Sequence, residues 1–126
     1  MDYKKTLIAV IQAQKSNPFY EIFLSGFEKY LQMTPETRAS AINIGNPVNF
    51  EKAKRGIVDL NGRVEQVTDA EIREAKIKID HSGIGSEPAS AATLAGLKKL
   101  VVQKFIRPDE NVVCILTGNI LKDPAM

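Results

Sequence analysis

The chain has 126 residues, the size of one ordinary domain, with 44% hydrophobic and 25% charged residues, so it can bury a core without disulfide staples. A net charge of +2, from 17 basic and 15 acidic residues, is too small to argue for nucleic acid or an anionic membrane as partner. The single cysteine, Cys114, excludes an internal disulfide; with no bilayer-length apolar run and no secretory signal at the charged start, a soluble cytoplasmic protein is expected.

Residues 6–13 (TLIAVIQA) form a short apolar, partly β-branched run that suits a strand buried on both faces of a parallel sheet. Asn17 then caps a helix with Pro18 at its first position. Tyr20, Phe23, Phe27 and Tyr30 follow at spacings of four and three, one aromatic face on a helix of about three to four turns. That face reads as a core stripe, with ligand stacking as the alternative. Residues 34–47 have no helical period and end in turn formers. Asn49 caps the next helix, which turns Phe50, Ala53, Ile57 and Leu60 to one side and stops at Asn61-Gly62.

Residues 63–67 read as a short strand, and Thr68-Asp-Ala-Glu71 as a capping box. The helix behind that box runs to about Asp80 with Ile72, Ala75 and Ile79 inward. Glu87-Pro88 opens the longest helix, whose alanines on several faces imply close packing against a sheet and a neighbouring helix. After a loop at 107–110, residues 111–116 (NVVCIL) read as a second buried strand ending in Thr-Gly. The order strand, helix, helix, strand, helix, helix, strand argues an α/β fold with a parallel sheet. The expectation is a three-layer sheet flanked by helices, with residues 1–126 forming one domain.

In open parallel sheets ligands bind beyond the carboxyl ends of the strands. Thr117-Gly118-Asn119 fits that rule: the threonine hydroxyl can bond a ligand and Gly118 permits close approach. The plainer reading is a strand-to-loop turn. Residues 83–88 (GIGSEP) resemble a glycine-rich phosphate loop, but they follow a helix and lack the third glycine of the dinucleotide fingerprint. They lead into a helix start, which favours an anion, yet Glu87 would oppose one and reads as a cap or loop organiser. One cysteine and one histidine, His81, do not make a zinc site. His81 sits at a helix end, where the dipole accounts for it, and Ser82 with Asp80 beside it makes no triad. Lys52, Lys54 and Arg55, like Lys98 and Lys99, read as solvated helix faces, and Cys114 as an inert core thiol.

Three ordered blocks resemble threonine synthase: residues 41–53 (AINIGNPVNFEKA), residues 87–97 (EPASAATLAGL) and residues 117–124 (TGNILKDP). The opening strand and aromatic helix resemble the segment just before the first block. The resemblance implies the C-terminal half of the large domain of a fold type II, tryptophan-synthase-like enzyme that uses pyridoxal 5′-phosphate (PLP), so that residues 1–126 are one partial domain. The implied reaction turns O-phospho-L-homoserine and water into L-threonine and phosphate. Thr117 matches the family's threonine that bonds the cofactor's pyridine nitrogen. Gly118, Asn43, Gly45 and Glu87 would border the cofactor cleft. Asn43 stands where many relatives carry a basic residue, and Ile120 where many have glycine.

The same resemblance implies that the family's Schiff-base lysine and phosphate cup precede this segment. Covalent PLP catalysis needs an amine at the aldehyde carbon, and Lys122 matches the terminal block, not the lysine motif. No catalytic residue is therefore assigned, and PLP is expected in the complete enzyme, not on this chain alone. The expected partners are the small-molecule substrate and either further copies of the chain or a complementing N-terminal half. Two other readings are a non-catalytic module of the same fold and a threonine or serine dehydratase-like lyase.

Overall fold

A computed structural model describes residues 6–124. Its centre is a pair of parallel strands, β1 (Ala9–Ala13) and β2 (Arg63–Val67), in register from Ala9 opposite Arg63 to Ala13 opposite Val67. Side chains along a strand alternate between faces, and each face has its own helices. Val10 and Val64 pack on one side with Phe19 and Ile22 of α1 (Pro18–Leu24) and with Phe50 and Ile57 of α2 (Phe50–Asp59). Ile11, Ala13 and Val67 pack on the other side with α3 (Asp69–His81) and α4 (Pro88–Val102). The result is the α/β arrangement expected, a parallel sheet between two helical layers.

Polar residues on the strands are matched by polar partners on the layer they face. Gln12 accepts the Tyr20 N–H at 2.9 Å and Gln66 accepts from the Asn17 amide at 2.7 Å, both on the α1 side. Glu65, only 7% exposed on the α4 side, accepts from the Gln103 amide at 2.8 Å. A buried polar group without such a partner would cost stability.

The first helix is shorter than the aromatic spacing predicts. It ends at Leu24 because Gly26 and Phe27 both take left-handed backbone angles, φ 69° and 64°, which no right-handed helix contains. The aromatic residues still meet. Phe27 lies 6.0 Å from Phe19 and 6.3 Å from Phe50, and Tyr30 lies 5.4 Å from Phe50, centroid to centroid. Tyr20, Phe23 and Phe27 are half-buried against the Phe19–Ile22–Phe50 core while Tyr30 stays 49% exposed, so the stripe borders the core instead of forming it, and a chain turn assembles it. The two asparagine caps hold their positions without the expected side-chain bonds: neither Asn17 nor Asn49 bonds a helix N–H through its side chain.

The second half of the fold follows its local signals. Thr68 Oγ1 accepts the Glu71 N–H at 3.1 Å and Glu71 Oε2 accepts the Thr68 N–H at 2.7 Å, a complete capping box for α3. Helix α4 packs on α3 and on both strands. Its small residues Ala89, Ser90, Ala91, Ala92, Ala95 and Gly96 are all buried. A Cβ at Gly96 would overlap the Ile11 side chain, so glycine lets α4 lie directly on β1.

The expected strand at 111–116 is not formed. These residues pair with neither edge of the sheet, and Val113 and Ile115 are 87% and 69% exposed. A strand needs a partner to satisfy its backbone, and none of the described residues supplies one here. Cys114 is consequently part-exposed in an irregular segment and not a core-strand thiol. Among the described residues no helix is long and apolar enough to cross a membrane.

Candidate functional site

The segment after 111–116 returns to the protein at the start of α4. Ser86 and Asn119 form an antiparallel bridge. The Glu87 N–H donates to the Gly118 carbonyl at 3.0 Å, and the Ile120 N–H to the Gly85 carbonyl at 3.1 Å. Pro88 occupies the first helical turn, where a missing N–H leaves nothing unpaired. One turn in, Ser90 reaches back: its hydroxyl oxygen accepts the Thr117 N–H at 2.9 Å and the Gly118 N–H at 3.2 Å. The Thr117 hydroxyl lies 3.3 Å from Ser90 Oγ and donates to Glu87 Oε1 at 3.1 Å. Ser90 and Glu87 are 1% and 5% exposed.

Glu87 occupies the N-cap position of α4, but its carboxylate bonds no helix N–H. It is no side-chain cap; it organises the junction instead, by accepting from Thr117. Gly118 leaves room for the same contact, since a Cβ there would overlap the Glu87 carboxylate and displace it. A carboxylate at this helix start repels a phosphate, so the glycine-containing run before α4 is not built as an anion cradle. Ser86 Oγ is buried with no hydrogen-bond partner among the described residues, an exception to the usual pairing of buried polar groups.

Thr117, Gly118 and Glu87 thus come together from positions 30 residues apart in sequence. Asn43 and Gly45 do not join them. Asn43 Oδ1 accepts the Thr37 N–H at 3.0 Å, and the Gly45 carbonyl accepts the Met33 N–H at 3.0 Å. Their loop sits just past the carboxyl end of β1, where buried Ser16 bonds the carbonyls of Ile42 and Ile44, each at 3.0 Å. It reaches the terminal segment through Ser40, whose N–H and hydroxyl donate to Asp123 Oδ2 at 3.2 and 2.7 Å. Sequence reasoning missed Ser90 and Asp123. The available signal for Ser90 was a lone hydroxyl in the alanine run, three residues after Glu87, on the same helical face. His81 closes α3 at the surface, and Lys122 ends a single exposed 3₁₀ turn, Ile120–Lys122. An open groove of about 540 Å³ between α3 and α4 is lined by neither Glu87, Ser90 nor Thr117.

The family model of pyridoxal-phosphate dependent enzymes matches residues 2–118. The chain belongs to that family. Within it, the chain is 50% identical over 116 residues to threonine synthase of Methanosarcina acetivorans and 48% identical to that of Methanocaldococcus jannaschii. Each match covers 90% of this chain and 29% of the relative, so the chain spans under a third of the relatives' length. The resemblance to the C-terminal part of threonine synthase therefore stands. The fold superimposes on a crystal structure of T.th. threonine deaminase with a TM-score of 0.63 at 17% identity, covering 78% of this chain and 35% of that one. That likeness concerns the fold alone. Members of this pyridoxal-phosphate dependent family share a cofactor; in this chain the Glu87–Ser90–Thr117 junction is a polar cluster, and Ser86 Oγ is buried without a hydrogen-bond partner among the described residues.

Proposed function

We propose that this chain is the C-terminal portion of a threonine synthase. The complete enzyme would convert O-phospho-L-homoserine and water to L-threonine and phosphate in the cytoplasm. The observation that carries this reading is the Thr117 hydroxyl, fixed between Ser90 and Glu87 at the end of the segment that follows α4. It is supported by the 50% identity to the Methanosarcina acetivorans enzyme across 90% of the chain.

When bound, PLP supplies the electron sink for carbanion chemistry. The residues of this chain would orient it: by the resemblance Thr117 would bond the ring nitrogen, and Gly118 would let the backbone approach. Glu87 and Ser90 hold Thr117 in place, and the loop carrying Asn43 and Gly45 borders the cleft. The rest of the cleft comes from a complementary N-terminal portion, and the exposed apolar side chains of residues 111–116 are where it would pair.

The test is reconstitution. The chain is mixed with the complementary N-terminal portion of the Methanosarcina acetivorans enzyme, and phosphate release from O-phospho-L-homoserine is followed. Activity requiring both polypeptides, and falling at least about tenfold with Thr117→Val, is expected. Silence from the mixture, when the same N-terminal portion recovers activity with its own C-terminal portion, overturns the reading. Borohydride trapping of PLP on Lys122 in the chain alone would overturn the assignment of the amine to the missing portion.

A further inference from the structure

Helix α4 carries two apolar stripes, and among the described residues only one of them is covered. Ala92, Gly96 and Leu100, at spacings of four, are buried, with Gly96 lying on Ile11 of β1. Leu94, Leu97 and Val101, at spacings of three and four, run along another face. With Val102 they line the open groove of about 540 Å³ between α3 and α4. Val101 is 48% exposed there and Val102 77%. A helix that is apolar on more than one face is one that more than one layer covers. The charged groups on the groove's rim already have partners. Lys98 and Lys78 both hold the Glu74 carboxylate, at 3.0 and 3.3 Å. Lys99 donates to the Gln66 carbonyl at 2.7 Å, and Glu71 is engaged in the capping box of α3. What the groove leaves unmatched is apolar surface, not charge.

We propose that the groove between α3 and α4 seats the apolar face of a helix from the complementary N-terminal portion. This rests on the reading that the chain is the C-terminal portion of a threonine synthase, and it names a second face, besides residues 111–116, through which the two portions meet. The chain accounts for 29% of each of the two relatives, so the larger part of such a polypeptide lies outside it and has to pack on its open apolar surfaces. The space between two packed helices suits a third, whose ridge of side chains enters it. An extended segment does not suit it: α3 and α4 use their backbone groups within themselves, so a strand laid there would leave its own unpaired. A helix satisfies its backbone internally and brings only side chains. Seated there, the partner holds the helix whose first turn carries Glu87 and Ser90.

Two measurements test the proposal. The first follows the methyl resonances of the ¹³C-methyl-labelled chain as the N-terminal portion of the Methanosarcina acetivorans enzyme is added, in a preparation that recovers activity with its own C-terminal portion. The methyls of Leu97, Val101 and Val102 should shift, and so should those of Val113 and Ile115, which report the pairing proposed above. Movement of Val113 and Ile115 alone overturns the groove as an interface and leaves the proposed function standing. No movement at any of these methyls counts against the proposed function and overturns the groove with it. Movement of the groove methyls when the chain is concentrated by itself assigns the groove to a second copy, which also overturns the proposal. The second measurement is the affinity of the two portions, read by sedimentation. Val102→Glu should weaken it at least about tenfold, and Val102→Leu should leave it as it was. The Val102 side chain is mostly in water in the chain alone, so Val102→Glu should leave the urea midpoint of that chain in place. Undiminished affinity in Val102→Glu overturns the proposal.

Discussion

β1 and residues 111–116 are nearly the same kind of sequence, and the fold treats them oppositely. Both are short, apolar and rich in β-branched residues. β1 has β2 along one edge and helices on both faces, and its last residue, Ala13, is wholly buried. Residues 111–116 have no strand alongside among the described residues, and Val113 stands 87% exposed. The difference lies in what the rest of the chain places beside them. Strand propensity reports how well a residue suits a pleated, half-covered surface; it does not provide the surface.

The largest expected contrast comes from truncating side chains around each segment. Ile72, fully buried against the β1 face, should lose about 3 kcal/mol on Ile72→Ala in urea unfolding. Val113→Ala should change stability by less than about 0.5 kcal/mol. Equal losses at the two positions would mean that 111–116 is packed in solution. Next is overpacking: Gly96→Val drives a side chain into Ile11 and should cost about 2 kcal/mol. A smaller cost would mean that α4 can lift away from β1.

A proline then sharpens the comparison further. No backbone hydrogen bond of residues 111–116 is present within the described chain, so Val113→Pro should leave the isolated chain within about 0.5 kcal/mol of its original stability. The same substitution should abolish reconstitution with the complementary portion, because a paired strand cannot spare the N–H. The smallest effect sits at the rim of the packed region. Lys98, at 3.0 Å, and then Lys78, at 3.3 Å, hold the Glu74 carboxyl below its ordinary value of 4.5. A depressed carboxyl pKa adds stability that is present above the ordinary value and is lost as pH falls through the folded one. The pair is exposed, so the contribution is slight, and in about 1 M salt the Glu74 midpoint, read by NMR titration, should return toward 4.5.

What was legible in the sequence was what neighbours in sequence decide. The Thr68–Glu71 capping box, the Pro88 start of α4 and the alanine face of that helix each follow from side chains within a few residues. The length of α1 did not, because the spacing of Phe23, Phe27 and Tyr30 imitates a helix; Ser25-Gly26 was the quieter signal that it stops. Pairing of 111–116 is a long-range property that no local pattern specifies. In the candidate site, Thr117, Gly118 and Glu87 were readable as residues, but the carboxylate's hold on the threonine was not. Ser90 was hidden among alanines, since a hydroxyl that serves the backbone of a distant segment looks like any small residue of a buried helix.

The tie between Ser40 and Asp123 spans 83 residues, and it bears on the order in which the molecule is made. α3 and α4 are consecutive and pack on each other, so they meet after a short search. The tail can close on Ser40 only once the loop beside β1 and the entrance to α4 both exist, and long closures come late. Late-formed contacts open early. The amides that dock the tail, Glu87 and Thr117 among them, should therefore trade their hydrogens with solvent through partial opening of the native protein, well before those of β2. By this ordering the wall around Thr117 should be the last part of the chain to close and the first to open.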